Sequence, residues 1–353
     1  MIKNNVNTLR GWAILGVIAI HVSMNFTKFT ELSWLPVSLA AIDIYAHFAV
    51  PLFVVISGFL LAAKYDRDYS IGDFYKKRLN RILFPFLIWS VLYMLLNPEN
   101  LKDPFQAVFD VFTGGSYYHL WFFFLIIQLY LLFPFLRKLL KNKNFLIILI
   151  MLFVQVLFRH LREDMAGSDN FTTLIKGLFF SYIFYFSIGI WIADNIESTE
   201  RFLSRVSSLI NSVIFASTVL FSFIFSYNWL SEYNGFFERI SLFALLEKII
   251  LPFVFIMIFI NLNDVNVRIS GTKLQTALNI LSKYSFGIYL SHALILRIAV
   301  LTLKQAGITW ENAAFYPASF FLTLFASIVF CYLTERTPLS KPLLGIERKS
   351  NIT

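Results

Sequence analysis

The stretch Leu9–Phe26, LRGWAILGVIAIHVSMNF, decides the fold class. Apart from Arg10 at its start and His21, Ser23 and Asn25 toward its end, it is apolar or glycine. A run of that length with so few polar groups is the signature of a helix that crosses a bilayer. Basic residues precede it, as they precede the apolar core of a secretory leader. His21 lies inside the run, however, and no small-residue cleavage site follows. The expectation is a retained first helix.

The rest of the chain repeats this pattern. Of 353 residues 58% are hydrophobic and 14% charged, whereas a soluble domain carries about 25% charged residues to cover its surface. Apolar stretches of spanning length or nearly so fall at Leu9–Phe26, Ala46–Ala63, Ile82–Leu96, Leu120–Leu136 and Phe145–Phe158. Others follow at Leu174–Ala193, Leu209–Tyr227, Ile240–Leu262, Ile280–Leu301 and Phe315–Leu333. The fold class expected is all-α: a polytopic membrane protein with about ten transmembrane helices, in a single membrane domain over residues 1–353 with no appended soluble domain. The expected location is a bacterial cell membrane, with membrane lipids as partners.

The charges set the orientation. The net charge of +9 need not mean nucleic acid, because cytoplasmic loops of membrane proteins retain Lys and Arg. With both termini cytoplasmic, the inside set is Lys3, Arg10, the basic residues from Lys64 to Arg81, and those from Arg137 to Lys143. Arg201, Arg205, Arg268, Lys273, Lys283 and the basic residues from Arg336 to Lys349 complete it. These are 21 of the 30 Lys and Arg, and an odd number of spans would spoil the pattern. The single cysteine, Cys331, excludes an internal disulfide framework.

Arg10 and His21 are eleven residues apart, about three helical turns, which puts them on one face roughly 16 Å apart along the axis. Arg10 at the cytoplasmic interface is by itself an ordinary anchor. His21 lies well inside the bilayer, where an ionisable group is costly unless it meets a polar cavity or a partner. It reads either as a hydrogen bond to a neighbouring helix or as part of a channel lined by one face of the first helix.

At these residues the chain resembles the acyltransferase-3 family of bacterial integral-membrane O-acyltransferases. The resemblance rests on Leu9-Arg10-Gly11 with His21, on Pro51–Phe59, and on Phe74–Pro85. It continues with His119–Phe122, Tyr284–His292 and Glu335–Pro338, six blocks in family order that together cover essentially the whole chain. It implies transfer of an acyl group, usually acetyl, from a cytosolic acyl-CoA to a hydroxyl. The implied acceptor is a carbohydrate of the cell envelope or its lipid-linked precursor. It further implies that His21 is catalytic and that Arg10 accompanies it. Neutral imidazole, with a reference pKa near 6.5, suits a base for that attack; a covalent acyl-histidine is the alternative.

Lys76, Lys77, Arg78 and Arg81 stand where a helix leaves the cytoplasm. They read either as a dock for the phosphates of coenzyme A or as an anchor to anionic headgroups. His119, His292 and Glu335 are candidates to line a substrate cavity, each equally readable as structural; Glu335 would pair with Arg10 or a loop cation. His47 is a weaker candidate, and His160 reads as solvated. Hydrolase elbow, phosphate loop and dinucleotide fingerprint are missing, and no His/Cys cluster suggests a metal. A transporter or flippase for a glycan precursor is the rival reading, since buried His21, His292 and Glu335 would also suit a translocation path.

Overall fold

The computed structural model describes residues 2–24, 33–65, 69–140, 145–165, 174–175, 177–206, 208–233 and 241–346. Among them are fourteen α-helices, two short 3₁₀ turns and no strand. In chain order the helices are α1 Ile2–Ser23, α2 Trp34–Ala46, α3 Ala49–Lys64, α4 Ile71–Leu95, α5 Pro104–Thr113, α6 Trp121–Leu139 and α7 Phe145–Met165. Then come α8 Ile183–Asp194, α9 Ile196–Arg205, α10 Ser208–Tyr233, α11 Ser241–Arg268, α12 Lys273–Gln305, α13 Phe315–Thr334 and α14 Ser340–Leu344. Both chain ends lie outside the described residues, as do Arg67, Lys141, Lys143, Arg348 and Lys349 of the basic set and the tips of two apolar stretches, Phe26 and Ile240.

Seven stretches among the described residues are long and apolar enough to cross a membrane: Asn5–Ser23, Trp34–Lys64, Ile71–Leu95, Trp121–Leu139, Ser208–Tyr227, Lys273–Gln305 and Phe315–Thr334. Phe145–Leu161 and Ile183–Asp194 are shorter apolar helices. The chain is thus an all-helical protein of membrane type.

Three elements differ from the sequence expectation, each for a local reason. The second apolar stretch begins earlier than expected, because α2 precedes α3 with a break at His47 and Phe48. Pro51 lacks the N–H that would bond back to residue 47, and its ring crowds that carbonyl, so the helix breaks there. The third stretch, expected from Ile82, is a 25-residue helix that starts at Ile71. Its charged first turns run beyond any hydrocarbon core, and Ser70 caps it by accepting from the Asp73 N–H at 3.3 Å. The stretch expected at Leu174–Ala193 is regular helix only from Ile183. Before it, Gln128 of α6 donates to Gly177 O at 2.8 Å and accepts from the Phe179 N–H at 3.4 Å, holding the preceding segment as a turn.

The described residues form two compact units. One comprises Met1–Phe53 with Glu197–Phe330. In it α1 packs against α12, α2 and α11, while α10 packs against α2 and α11. The apolar window of α1 is 67% buried and that of α10 only 17%, so α1 is central and α10 is the helix left to face lipid. The other unit comprises Val54–Ile196 with Cys331–Thr353. There α4 packs against α6, α5 and α14, and α7 against α8. The contact of α3 with α8 needs glycine, because a Cβ on Gly189 would stand 2.1 Å from the Val55 carbonyl oxygen.

Candidate active site

Arg10 and His21 both face α12. Gly11 allows this: a Cβ there would sit 2.4 Å from the Leu278 carbonyl oxygen, so only glycine lets the two backbones approach so closely. Ser282 Oγ lies 3.5 Å from Asn7 Oδ1, and Arg10 Nη2 donates to Ser285 Oγ at 2.9 Å. One end further on, the His21 ring stacks on His292 with centroids 5.0 Å apart and planes at 26°. Partner numbers rise together on the two helices, so α1 and α12 run parallel. Two spans with a third between them in sequence cannot run parallel if each crosses once; an even number between them can. That agrees with the odd-numbered places, first and ninth, of these spans in the ten-stretch reading.

The arginine end is a fixed network. The Ser285 hydroxyl gives its hydrogen to Ser282 O at 2.9 Å, which leaves its lone pairs for Arg10. Trp12 Nε1 donates to Asn266 Oδ1 of α11 at 3.0 Å, holding the first turns of α1 from another side. At the histidine end the tautomer of His292 follows from its neighbours. Its Nδ1 lies 2.7 Å from Tyr289 O and 3.1 Å from Ile288 O, and carbonyls only accept, so Nδ1 carries the hydrogen and Nε2 the lone pair. Tyr289 packs edge-on against His292, centroids 5.6 Å apart.

Beyond His21 a carboxylate reaches the end of α1. Asp43 of α2 is buried; its Oδ1 is 3.4 Å from Ser23 Oγ and its Oδ2 is 3.5 Å from His47 Nδ1. Glycine at position 16, whose Cβ would meet that of Ala49 at 2.9 Å, seats α1 against the α2–α3 break.

The remaining candidates lie in the other unit. Lys76, Lys77 and Arg81 are exposed, as a docking cluster requires. Arg78 is not part of that surface: its guanidinium lies 5.2 Å over the Tyr65 ring, with Nε buried. His119 is buried among Tyr93, Tyr117 and Tyr118, with centroids 5.1, 5.8 and 5.4 Å away. Burial pushes the Tyr118 hydroxyl well above its ordinary pKa. Glu335 is buried just past the end of α13. No group of three His, Cys, Asp or Glu able to hold a metal occurs among the described residues.

The sequence profile of the acyltransferase-3 family, described as an acyltransferase domain, matches residues 3–332. The chain belongs to that family. Similar curated proteins come from Staphylococcus aureus strains MRSA252 and MSSA476. Each bears the name "Probable poly-beta-1,6-N-acetyl-D-glucosamine export protein" and is 25% identical over 258 residues, 70% of this chain and 69% of theirs. No solved structure matches the chain.

Within this acyltransferase-3 protein, Ser285, Asn266 and Asp43 are the site neighbours that sequence reasoning missed. Asp43 had a usable signal, since an acidic residue inside an apolar run is costly and therefore informative. Ser285 had none, because a serine in an apolar helix usually bonds its own backbone. Only the register of α12 against α1 sets it opposite Arg10.

Proposed function

We propose that the protein transfers an acyl group, acetyl in the first instance, from acyl-CoA to a hydroxyl of a cell-envelope glycan or its lipid-linked precursor. The observation that carries the reading is the stacking of His21 on His292 along the same α1–α12 interface that holds Arg10 on Ser285. A hydroxyl oxygen attacks the thioester carbonyl carbon while His21 takes its proton. The C–O bond forms, the C–S bond breaks, and the proton ends on the departing coenzyme A thiolate. His292, with its hydrogen fixed on Nδ1, keeps a lone pair on Nε2 and supports the imidazolium that forms. Arg10 orients donor or substrate about three turns away, and exposed Lys76, Lys77 and Arg81 receive the phosphates of coenzyme A. Ten spans with both termini cytoplasmic put this cluster on the donor's side; the basic loops and the parallel run of α1 and α12 support that topology.

The name of the staphylococcal relatives favours a second reading, export of a glycan. The two separate in one experiment. Protein in liposomes is given acetyl-CoA labelled in the acetyl group and a β-1,6-linked N-acetylglucosamine oligosaccharide, and label in the sugar is compared with sugar moved across the bilayer. Labelled sugar that depends on His21 supports transfer; translocation without label supports export.

A further inference from the structure

A cluster of donors in the other unit is used by nothing above. Gln155 and Arg159 lie one turn apart on α7 and face the 3₁₀ turn Phe179–Ser181 and the start of α8. Gln155 is fully buried, and its Oε1 accepts from the Phe184 N–H at 3.2 Å. That bond fixes the amide, since Nε2 could not accept a hydrogen there. Nε2 is left buried with no acceptor, and so is Arg159 Nε. The Tyr185 hydroxyl stands beside both side chains. The Arg159 guanidinium lies 6.0 Å over the Tyr182 ring, itself 5.8 Å from that of Trp121. Asp194, the carboxylate of α8, pairs with Arg137 near the opposite end of that helix.

Unmet amide and guanidinium donors around a phenol define a place for an oxygen-rich anion. A buried donor is costly until an acceptor reaches it, and the guanidinium fork matches phosphate oxygens. Its surroundings suit an amphiphile. Phe153, Leu157 and Leu161, one turn apart, are exposed on α7, and Trp121 and Tyr182 are residue types that settle at headgroup depth.

We propose that Gln155, Arg159 and Tyr185 form a binding site for the phosphate of an amphiphile whose tail lies along Phe153, Leu157 and Leu161. The phosphate belongs either to an anionic phospholipid or to an isoprenyl diphosphate carrier. The site does not depend on the transfer reading and would serve export equally.

The test uses the full chain in phosphatidylcholine nanodiscs with radiolabelled farnesyl diphosphate as probe. Wild type should bind it, and Arg159→Gln should bind roughly 10- to 150-fold more weakly, the value of a charge-assisted hydrogen bond. Gln155→Glu guards against misfolding: it places a carboxylate four residues before Arg159, a stabilising helical pair, yet should abolish binding. Glu163→Gln, which removes the other carboxylate at that spacing, should leave binding intact or tighten it. Replacing a third of the lipid by phosphatidylglycerol distinguishes the sources. Displacement of the probe assigns the site to a headgroup, and retention assigns it to the diphosphate carrier. No binding by wild type in either lipid, or unchanged binding by both Arg159→Gln and Gln155→Glu, overturns the proposal.

Discussion

Arg10 and the Lys76–Arg81 cluster are both basic, both near a helix start, and physically unlike. Arg10 is bonded to Ser285 at 2.9 Å, on a helix pair held close at Gly11. Lys76, Lys77 and Arg81 are exposed on α4, and Arg78 has turned onto Tyr65. A packed cation acts through geometry, so a small displacement matters and salt does not. Exposed cations act through their field, so their effect is graded, shared among several residues and screened within about 10 Å at 0.1 M salt. The sequence shows both as basic motifs; the difference between them is one of environment.

The sharpest way to break this comparison is at the fixed end. His21→Ala should lower acetyl transfer by about 10²–10⁴-fold, the contribution of a positioned general base, with folding and insertion retained. His292→Gln should cost less, and the double variant no more than His21→Ala alone, because the two act as a unit. Additive losses would separate the histidines. Next in size, Arg10→Lys keeps the charge but loses the guanidinium fork. It should cost roughly tenfold or more in kcat/KM, about the value of one charge-assisted hydrogen bond, at every salt concentration. Full activity would make Arg10 an anchor.

Smaller effects sharpen it. Gly11→Ala should destabilise the α1–α12 pair by about 1–3 kcal/mol, the usual cost of overpacking, because the clash is with a backbone carbonyl that cannot swing away. The check is a lowered thermal midpoint in detergent. Lys77→Gln with Arg81→Gln should raise KM for acetyl-CoA at low salt and converge with wild type at high salt. Adding Arg78→Gln should change KM little further, since its charge is committed to Tyr65. A salt-independent KM in all of them returns the cluster to lipid anchoring.

Much of the fold was legible. Apolar runs bounded by basic loops fix helices well, and α1, α6 and α13 lie almost where composition puts them. What sequence could not show arose from single residues acting at a distance. Pro51 breaks the helix four residues earlier, at His47. Gln128, an ordinary polar residue in an apolar run, ties down the turn before α8. For the site, periodicity put Arg10 and His21 on one face, and the structure gives that face to α12. That His292 would be the residue across from His21 required the register of two helices far apart in sequence, which no local pattern encodes. The expected pairing of Glu335 rested on charge alone. Arg10 instead has Ser285.

The most direct measurement is acetyl transfer by purified protein in liposomes, comparing wild type with His21→Gln at equal amounts of folded protein. Glutamine keeps a hydrogen-bonding group in the place of the imidazole and so preserves a merely structural role. The account predicts that wild type moves label from acetyl-CoA onto the glycan acceptor and that His21→Gln does so at least about 100-fold more slowly. Near-native transfer by His21→Gln would contradict it.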